Sequence, residues 1–216
     1  MSTYFKAVHP DGTDFRTGAI DYAGALGGEP ITLPVVPDPQ CCTSTVLHAS
    51  TAPAETLIGG SWPCRLFEVT GTPVAEKGHK RGFFSLTVAR EIDAHQALGP
   101  QGEQVAALID RAGKLTVDEA EKLAAASGFV VGAAASRAAR EAARVAAADA
   151  ARAAASRAAS RAARVAPRIA AWDAAFALVV RDLISKEHYD LLTGPWAQVI
   201  GPAHPDDTNL GGGDNA

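Results

Sequence analysis

The chain lacks the features by which membrane and secreted proteins are recognised. No stretch of about 18 uncharged apolar residues occurs in its 216 residues, and residues 1–12 carry neither the basic nor the apolar region of a secretory signal. Its three cysteines, Cys41, Cys42 and Cys64, are an odd number without framework spacing, which indicates reduced thiols. We therefore expect a cytoplasmic protein with no membrane partner.

Motifs that bind cofactors or metals are equally scarce. The paired glycines at 27–28 and 59–60 are not followed by GK[ST] and do not lie in a GxGxxG context. Cys41 and Cys42 are adjacent and cannot easily both reach one tetrahedral zinc ion, and no CxxC is present. The sequence thus predicts no cofactor and no metal.

Bulky side chains are almost missing from residues 133–166. These 34 residues comprise 20 Ala, 7 Arg, 3 Ser, 2 Val and 2 acids, a composition that favours a long helix burying little apolar surface. Seven arginines and two acids give this segment a charge of +5, which leaves −9 for the rest of a chain whose net charge is −4. The predicted basic helix is thus joined to a remainder of the chain with a net negative charge.

An internal repeat sets the direction of those arginines. Residues 136–146 read SRAAREAARVA and residues 156–166 read SRAASRAARVA, an offset of 20 residues. At about 100° per residue this offset turns the second unit by about 200° around the helix. The helix therefore carries basic groups on opposite sides in its two halves: Arg137, Arg140, Arg144 and Arg152 in one, and Arg157, Arg161, Arg164 and Arg168 in the other.

Three roles for this Ala/Arg segment follow from its composition. Arginine could simply keep an alanine-rich spacer in solution, or the alanine faces could pair with another helix, although no leucine or isoleucine seam specifies a standard coiled coil. Nucleic-acid binding is the third role, but no aromatic residue for base stacking precedes Trp172. We take a protein partner or self-association as the leading expectation and nucleic acid as the alternative.

The rest of the chain indicates an α+β protein: a small strand-rich module over residues 1–92, a helical region over 93–201 that includes the long Ala/Arg helix, and a disordered tail over 202–216. Alternation and β-branched residues predict strands in the module. These cover residues 4–9, 15–20, 31–36, 43–48, 64–69 and 83–88.

Capping and spacing signals place the helices. A short helix is predicted after Thr51, a longer one over 101–112, and another from the capping box at Thr116. Beyond Pro167 an apolar stripe predicts an amphipathic helix, followed by one short helical turn over 185–192 and another over 195–200. The stripe consists of Val165, Ile169, Trp172, Phe176, Val179, Val180 and Leu183.

Among the polar residues of the module, His48 ends a predicted strand, where side chains commonly face a cleft. With Glu68 and Arg16 it could form an acid–base or phosphate-binding group, so these three are the candidate catalytic residues. A structural role for His48 is the competing interpretation. The enzyme hypothesis requires that the three side chains converge on one pocket.

The segments FKAVHPDGTDFRTG (5–18), LHAS (47–50), WPCRLFEV (62–69) and VVRDLISKEHYDLLTGPW (179–196) resemble a group of actinobacterial and actinophage proteins. In that group a small domain of this kind precedes an alanine-rich helical stretch. The resemblance implies this architecture and no activity.

Two functions follow as hypotheses. The first is a non-enzymatic interaction or assembly protein that uses the Ala/Arg helix as spacer or contact surface. The alternative is a nucleotide-related transferase or hydrolase in the strand-rich module, or nucleic-acid binding by the basic helix.

Overall fold

The structure, a computed structural model, describes residues 2–129, 139, 141 and 168–210. The chain divides into two compact units, residues 1–99 and 100–216. The first is a strand-rich unit and the second is helical, so the described residues form an α+β protein. The module boundary predicted at residue 92 coincides with the end of the last strand, and a short 3₁₀ turn follows it within the first unit.

A single antiparallel sheet forms the strand-rich unit. Its seven strands lie in the spatial order β2-β7-β4-β1-β3-β6-β5, so the first strand is central and flanked by β3 and β4. The strands are β1 Thr3–Val8, β2 Ile31–Thr32, β3 Leu47–Ser50, β4 Arg65–Thr70, β5 Ala75–Lys77, β6 Lys80–Phe83 and β7 Ser85–Ile92. Short 3₁₀ turns at Pro53–Glu55 and Ala94–Leu98 complete the unit.

The strands with regular alternation form where the pattern predicts them. β1 and β4 pair along their whole length, from Thr3 opposite Thr70 to Val8 opposite Arg65. The inward positions Val8 and Phe67 are fully buried. They join one apolar core that also holds Tyr22, Leu47, Ala49, Val69, Phe83, Leu86 and Val88.

Three predicted strands differ in the structure because local hydrogen bonds or prolines compete with strand pairing. Residues 15–20 form a loop around the carboxylate of Asp14 instead of a hairpin strand. Residues 31–36 form a strand only over Ile31–Thr32, and pairing ends after the Leu33 N–H donates to the Phe84 carbonyl, since Pro34 follows. The strand predicted over 43–48 begins at Leu47, because Thr43 and Thr45 bond to each other in a turn.

Four α-helices lie in the described part of the helical unit: α1 Gly102–Ala112, α2 Val117–Phe129, α3 Arg168–Val179 and α4 Lys186–Val199. The capping box at Thr116 is present, because its hydroxyl accepts from the N–H of Glu119 and its own N–H donates to the Glu119 carboxylate. None of the helices in the described ranges combines the length and the hydropathy that crossing a bilayer requires.

The amphipathic stripe predicted beyond Pro167 is only partly the buried face of α3. Phe176, Val179 and Val180 are buried, but Ile169 is 58% exposed and Leu183, which follows the helix, is 48% exposed. Alanines take the remaining contacts because their small side chains allow neighbouring helices to approach closely. These are Ala170, Ala171, Ala174, Ala175 and Ala177, all buried.

Two further segments differ from their predictions. The two short turns predicted over 185–200 are one helix, α4, which continues through Pro195 because Leu192, Pro195 and Trp196 are buried together on it. Residues 202–210, assigned to a disordered tail by composition, include the 3₁₀ turn Pro205–Leu210. Hydrogen bonds from Tyr189 and from the backbone of His204 to Asp207 hold this turn.

The long helix predicted over 133–166 lies outside the described residues except at two positions. Ala139 and Glu141 are both helical, and Ala139 is fully buried whereas Glu141 is exposed.

Candidate functional site

A cavity of about 340 Å³ opens in the strand-rich unit where β1 and β3 separate. Within the described residues the two strands pair only at Phe5 and Ser50, so residues 6–7 and 48–49 face each other across a gap. Loops close the cavity with Phe15, Arg16 and Cys42 on one side and Ile58 to Gly60 on another. Its volume lies in the range of about 300–1,000 Å³ that is typical of small-ligand pockets.

Three cationic residues line this cavity, one each from β1, the Asp14 loop and β6: Lys6, Arg16 and Lys80. None of them forms an ion pair with a carboxylate in the described part of the chain. By contrast, Arg65, Arg81 and Arg90 in the same unit are each paired with a glutamate. Of the four Lys and Arg residues in this unit without an ion-pairing carboxylate among the described residues, three therefore line the cavity, and the fourth, Lys77, is exposed on β5.

Lys6 is the cation that β1 contributes to the cavity. It occupies the middle of a strand whose neighbouring positions pack apolar side chains, and its ammonium lies 4.9 Å from the centroid of the Tyr22 ring. Burial lowers the pKa of Lys6 to about 8; the charge of Lys80 lowers it further and Asp14 opposes the change. Lys6 is thus a cation at neutral pH held under desolvation.

His48 serves this site as a neutral hydrogen-bonding group. Its Nε2 accepts a hydrogen bond of 2.7 Å from the N–H of Cys42. Because Nε2 is the acceptor, the ring proton of the neutral imidazole lies on Nδ1. The backbone of Cys42 has a φ of 70°. Burial, together with Lys6, Lys80 and Arg16, lowers the pKa of His48 to about 4 against a weaker contribution from Asp14. His48 tethers the Cys42 loop and leaves an N–H donor, without a partner among the described residues, on its other nitrogen.

Asp14 holds the loop that carries Arg16. The Asp14 carboxylate accepts four hydrogen bonds, from the N–H groups of Arg16, Thr17 and Ile20 and from the Thr17 hydroxyl. Burial raises the pKa of Asp14, but these hydrogen bonds outweigh it and lower the value to about 2. Asp14 stays ionised, and its oxygens are occupied by its own loop.

An apolar wall faces the cations. Phe5, Phe15 and Ile58 line it. The Phe15 ring makes an edge contact with His9, with centroids 4.5 Å apart and planes at 68°. A Cβ on Gly60 would lie 2.8 Å from the Phe15 ring, so only glycine allows the backbone to pack against it there. Phe15 is therefore held from two sides.

The three candidate catalytic residues do not converge. His48 and Arg16 line the same cavity, whereas Glu68 lies on β4 opposite Arg90 of β7. The two carboxylate oxygens of Glu68 accept hydrogen bonds of 2.8 and 2.5 Å from Nε and Nη2, which form one edge of the Arg90 guanidinium. Glu68 borders a separate surface depression with Arg90 and Asp93. The convergence that the enzyme hypothesis requires is not present in this arrangement.

The basic residues proposed for partner binding lie largely outside the described residues. This applies to Arg137, Arg140, Arg144, Arg152, Arg157, Arg161 and Arg164, while Arg168 begins α3. Their assignment stays a prediction.

Cys41, Cys42 and Cys64 are free thiols. Only Cys42 lines the cavity, and burial raises the pKa of Cys64 to about 12, which makes that thiol unreactive. In the described ranges no group of three or more His, Cys, Asp or Glu side chains is placed to hold a metal ion.

The candidate catalytic residues chosen from the sequence do not include Lys6, Lys80 or Asp14. One signal was available: a lysine inside the otherwise apolar strand YFKAV is unusual, because its charge must be desolvated or reach an edge. Nothing local distinguishes Lys80 from its neighbours in the run His79-Lys80-Arg81.

Comparisons of the chain with protein family models, curated proteins and solved structures found no match.

Proposed function

We propose that the strand-rich unit binds a small anionic ligand in the cavity between β1 and β3. One observation carries this proposal: Lys6, Arg16 and Lys80 surround a cavity of about 340 Å³ without an ion-pairing carboxylate among the described residues. Like charges gathered in a partly desolvated cleft repel one another and attract counter-ions. An anion in the cavity relieves that repulsion.

Two observations favour binding over acid–base catalysis. The Nε2 atom of His48 already accepts a backbone hydrogen bond, so it cannot take a proton from a substrate without releasing the Cys42 loop. Glu68, the carboxylate proposed as its catalytic partner, is held by Arg90 away from the cavity. Neither His48 nor Glu68 is therefore a free general base for the enzyme alternative, a nucleotide-related transferase or hydrolase.

Titration with inorganic phosphate, followed by calorimetry or amide chemical shifts at low ionic strength, tests the proposal. We expect saturable binding that weakens as salt is added. Arg16→Gln and Lys80→Gln should each weaken it about tenfold, since a charge-assisted hydrogen bond contributes about 1.5–3 kcal/mol. Binding should also weaken above pH 8, where Lys6 loses its charge.

Lys122→Gln is the matched control, because Lys122 lies on α2 in the other unit and pairs with Asp118. Its affinity for phosphate should equal that of the unaltered protein. Equal affinities in the Arg16 and Lys80 variants, or no saturable binding at all, would refute the cavity as an anion site.

A second function concerns the Ala/Arg segment, for which we retain the role of an assembly or contact surface. Its support is the charge division between a segment of +5 and the remaining −9, together with the full burial of Ala139 beside the exposed Glu141. Close packing on an alanine face with charges kept in solvent is the arrangement that helix pairing requires. Nucleic-acid binding by the same arginines is the alternative.

A further inference from the structure

We infer that the ligand is a phosphate monoester joined to a planar aromatic ring, with its phosphate on the cations and its ring against Phe15. This inference rests on the proposed anion-binding function and names the ligand class. It combines three properties of the cavity: its charge, its hydrogen-bonding groups and its apolar wall.

The charge around the cavity matches a dianion. Lys6, Arg16 and Lys80 contribute three positive charges and Asp14 contributes one negative charge, which leaves +2. A phosphate monoester carries about −1.5 to −2 at pH 7, whereas a single carboxylate carries −1. A phosphate monoester therefore neutralises the site more completely than a carboxylate does.

The polar groups that face the cavity are suited to a ligand that accepts hydrogen bonds. Besides the three cations, the Nδ1–H of His48 is available as a donor. Ser50 is 5% exposed and lines the cavity, and its hydroxyl has no hydrogen-bond partner in the part of the chain that is described. Asp14 is the carboxylate whose charge acts on Lys6 and His48, and its oxygens already accept hydrogen bonds from its own loop. A phosphate offers several acceptor oxygens to such a set of donors.

A phosphate alone would leave the apolar wall uncovered. The cavity is of a size suited to a small organic molecule, and Phe5, Phe15 and Ile58 supply an apolar surface beside the cations. Phe15 and Arg16 are adjacent in sequence, so one loop presents a ring and a guanidinium to the same ligand. Contacts with His9 and Gly60 keep the Phe15 ring in place before the ligand arrives.

Three probes separate the parts of this inference: methyl phosphate, phenyl phosphate and benzoate, each titrated into the full chain. We expect phenyl phosphate to bind about tenfold more tightly than methyl phosphate, the scale of one ring-stacking contact. Benzoate, which has the ring but a single negative charge, should bind more weakly than phenyl phosphate. Phe15→Leu should remove the preference for phenyl phosphate and leave the affinity for methyl phosphate within about twofold.

Phe84→Leu is the matched control, because Phe84 is half-buried and borders a different surface depression. It should keep the full preference. If Phe15→Leu fails to fold, nuclear Overhauser effects between the protons of bound phenyl phosphate and those of the Phe15 ring replace it as the readout.

The outcomes distinguish this inference from the proposed function. Equal affinities for phenyl and methyl phosphate, or benzoate binding as tightly as phenyl phosphate, would overturn the ligand class and leave anion binding intact. A preference that persists in Phe15→Leu, or a bound ring without contacts to Phe15, would overturn the placement of the ring. Failure of every phosphate probe to bind would overturn both.

Discussion

Lys6 carries its charge in a partly buried position on the central strand β1. A lysine in a central strand must bring its charge out of water, and burial disfavours the charged form. No carboxylate of the described residues pairs with it. A residue that lowers stability without a structural partner is expected where a ligand supplies the missing charge.

The pKa of Lys6 predicts how its stability cost depends on pH. Its folded value of about 8 lies below the ordinary value of 10.5, so between these pH values the unfolded state binds more protons and stability rises with pH. Lys6→Met should therefore be more stable than the unaltered protein at pH 7, and the difference should shrink between pH 8 and 10.5. Urea unfolding followed by the amide signals of β1 and β4 measures both.

Lys77→Met serves as the control, because Lys77 is exposed on the edge strand β5 and its replacement should change stability little at either pH. A Lys6→Met variant that is less stable at pH 7, or whose stability difference does not change with pH, would contradict the prediction. Phosphate binding should be lost in that variant whatever its stability.

Sequence reasoning at this scale found some residues of the site and not others. His48 was identified at the end of a predicted strand and Arg16 as a polar residue that could join it in a site, and the structure brings both to the cavity. Glu68 was chosen on the same grounds, but residue type alone does not reveal that Arg90 lies opposite it on β7. Partners across a sheet are set by register, which a single strand does not encode.

At the scale of elements, the strength of the local signal decided which predictions hold. The alternation of β4 and the capping box at Thr116 are local, and both elements form as predicted. Pro195 was expected to separate two short helical turns because proline lacks a backbone N–H. The helix α4 nevertheless continues through Pro195, where Leu192 and Trp196 are buried beside it. Likewise Ile169 was expected to be buried from its spacing, but it is exposed while alanines of α3 make the contacts.

The turn after α4 provides a prediction at this scale. Asp207 accepts hydrogen bonds from the Tyr189 hydroxyl and the His204 N–H, both at 2.9 Å. Asp207→Ala should therefore release Pro205–Leu210 and speed amide exchange there by about tenfold or more, since hydrogen bonds to a charged group contribute about 1.5–3 kcal/mol each. Exchange in α1 should remain unchanged.

Asp206→Ala is the comparison for this experiment. Asp206 is 68% exposed and pairs with Arg181 at 3.2 Å, so its replacement should have a smaller effect than that of Asp207. Equal exchange rates in the two variants would show that the Asp207 hydrogen bonds do not hold the turn.

At the scale of the whole molecule, the chain joins two units of different character. The strand-rich unit contains the cavity, and the helical unit contains the Ala/Arg segment with its +5 charge. The proposed functions of the two are independent: anion binding needs only residues 5–80, whereas assembly needs residues 133–166.

The solution mass tests the assembly role. If the alanine faces pair with a second copy, light scattering should give a mass above the 22.2 kDa of one chain. Replacing Arg157, Arg161 and Arg164 with Gln should reduce the share of the associated form at low ionic strength, because it removes three of the seven positive charges that attract the segment to acidic surfaces. The mass of a single chain would contradict self-association, and salt-sensitive binding of DNA that these replacements abolish would support the nucleic-acid alternative instead.

Features that depend on neighbours along the chain can be predicted from the sequence: an α+β order, the central strands β1 and β4, the helix capped at Thr116, and an alanine-rich basic segment. The cavity instead results from contacts between strands that are distant in sequence. Residues 6, 16, 48 and 80 are far apart in sequence, and the sheet order places β1 beside β3 and β3 beside β6. Pairing at a single position then leaves a gap between β1 and β3. Such a gap depends on how non-local strands meet, and no local pattern of residues specifies that.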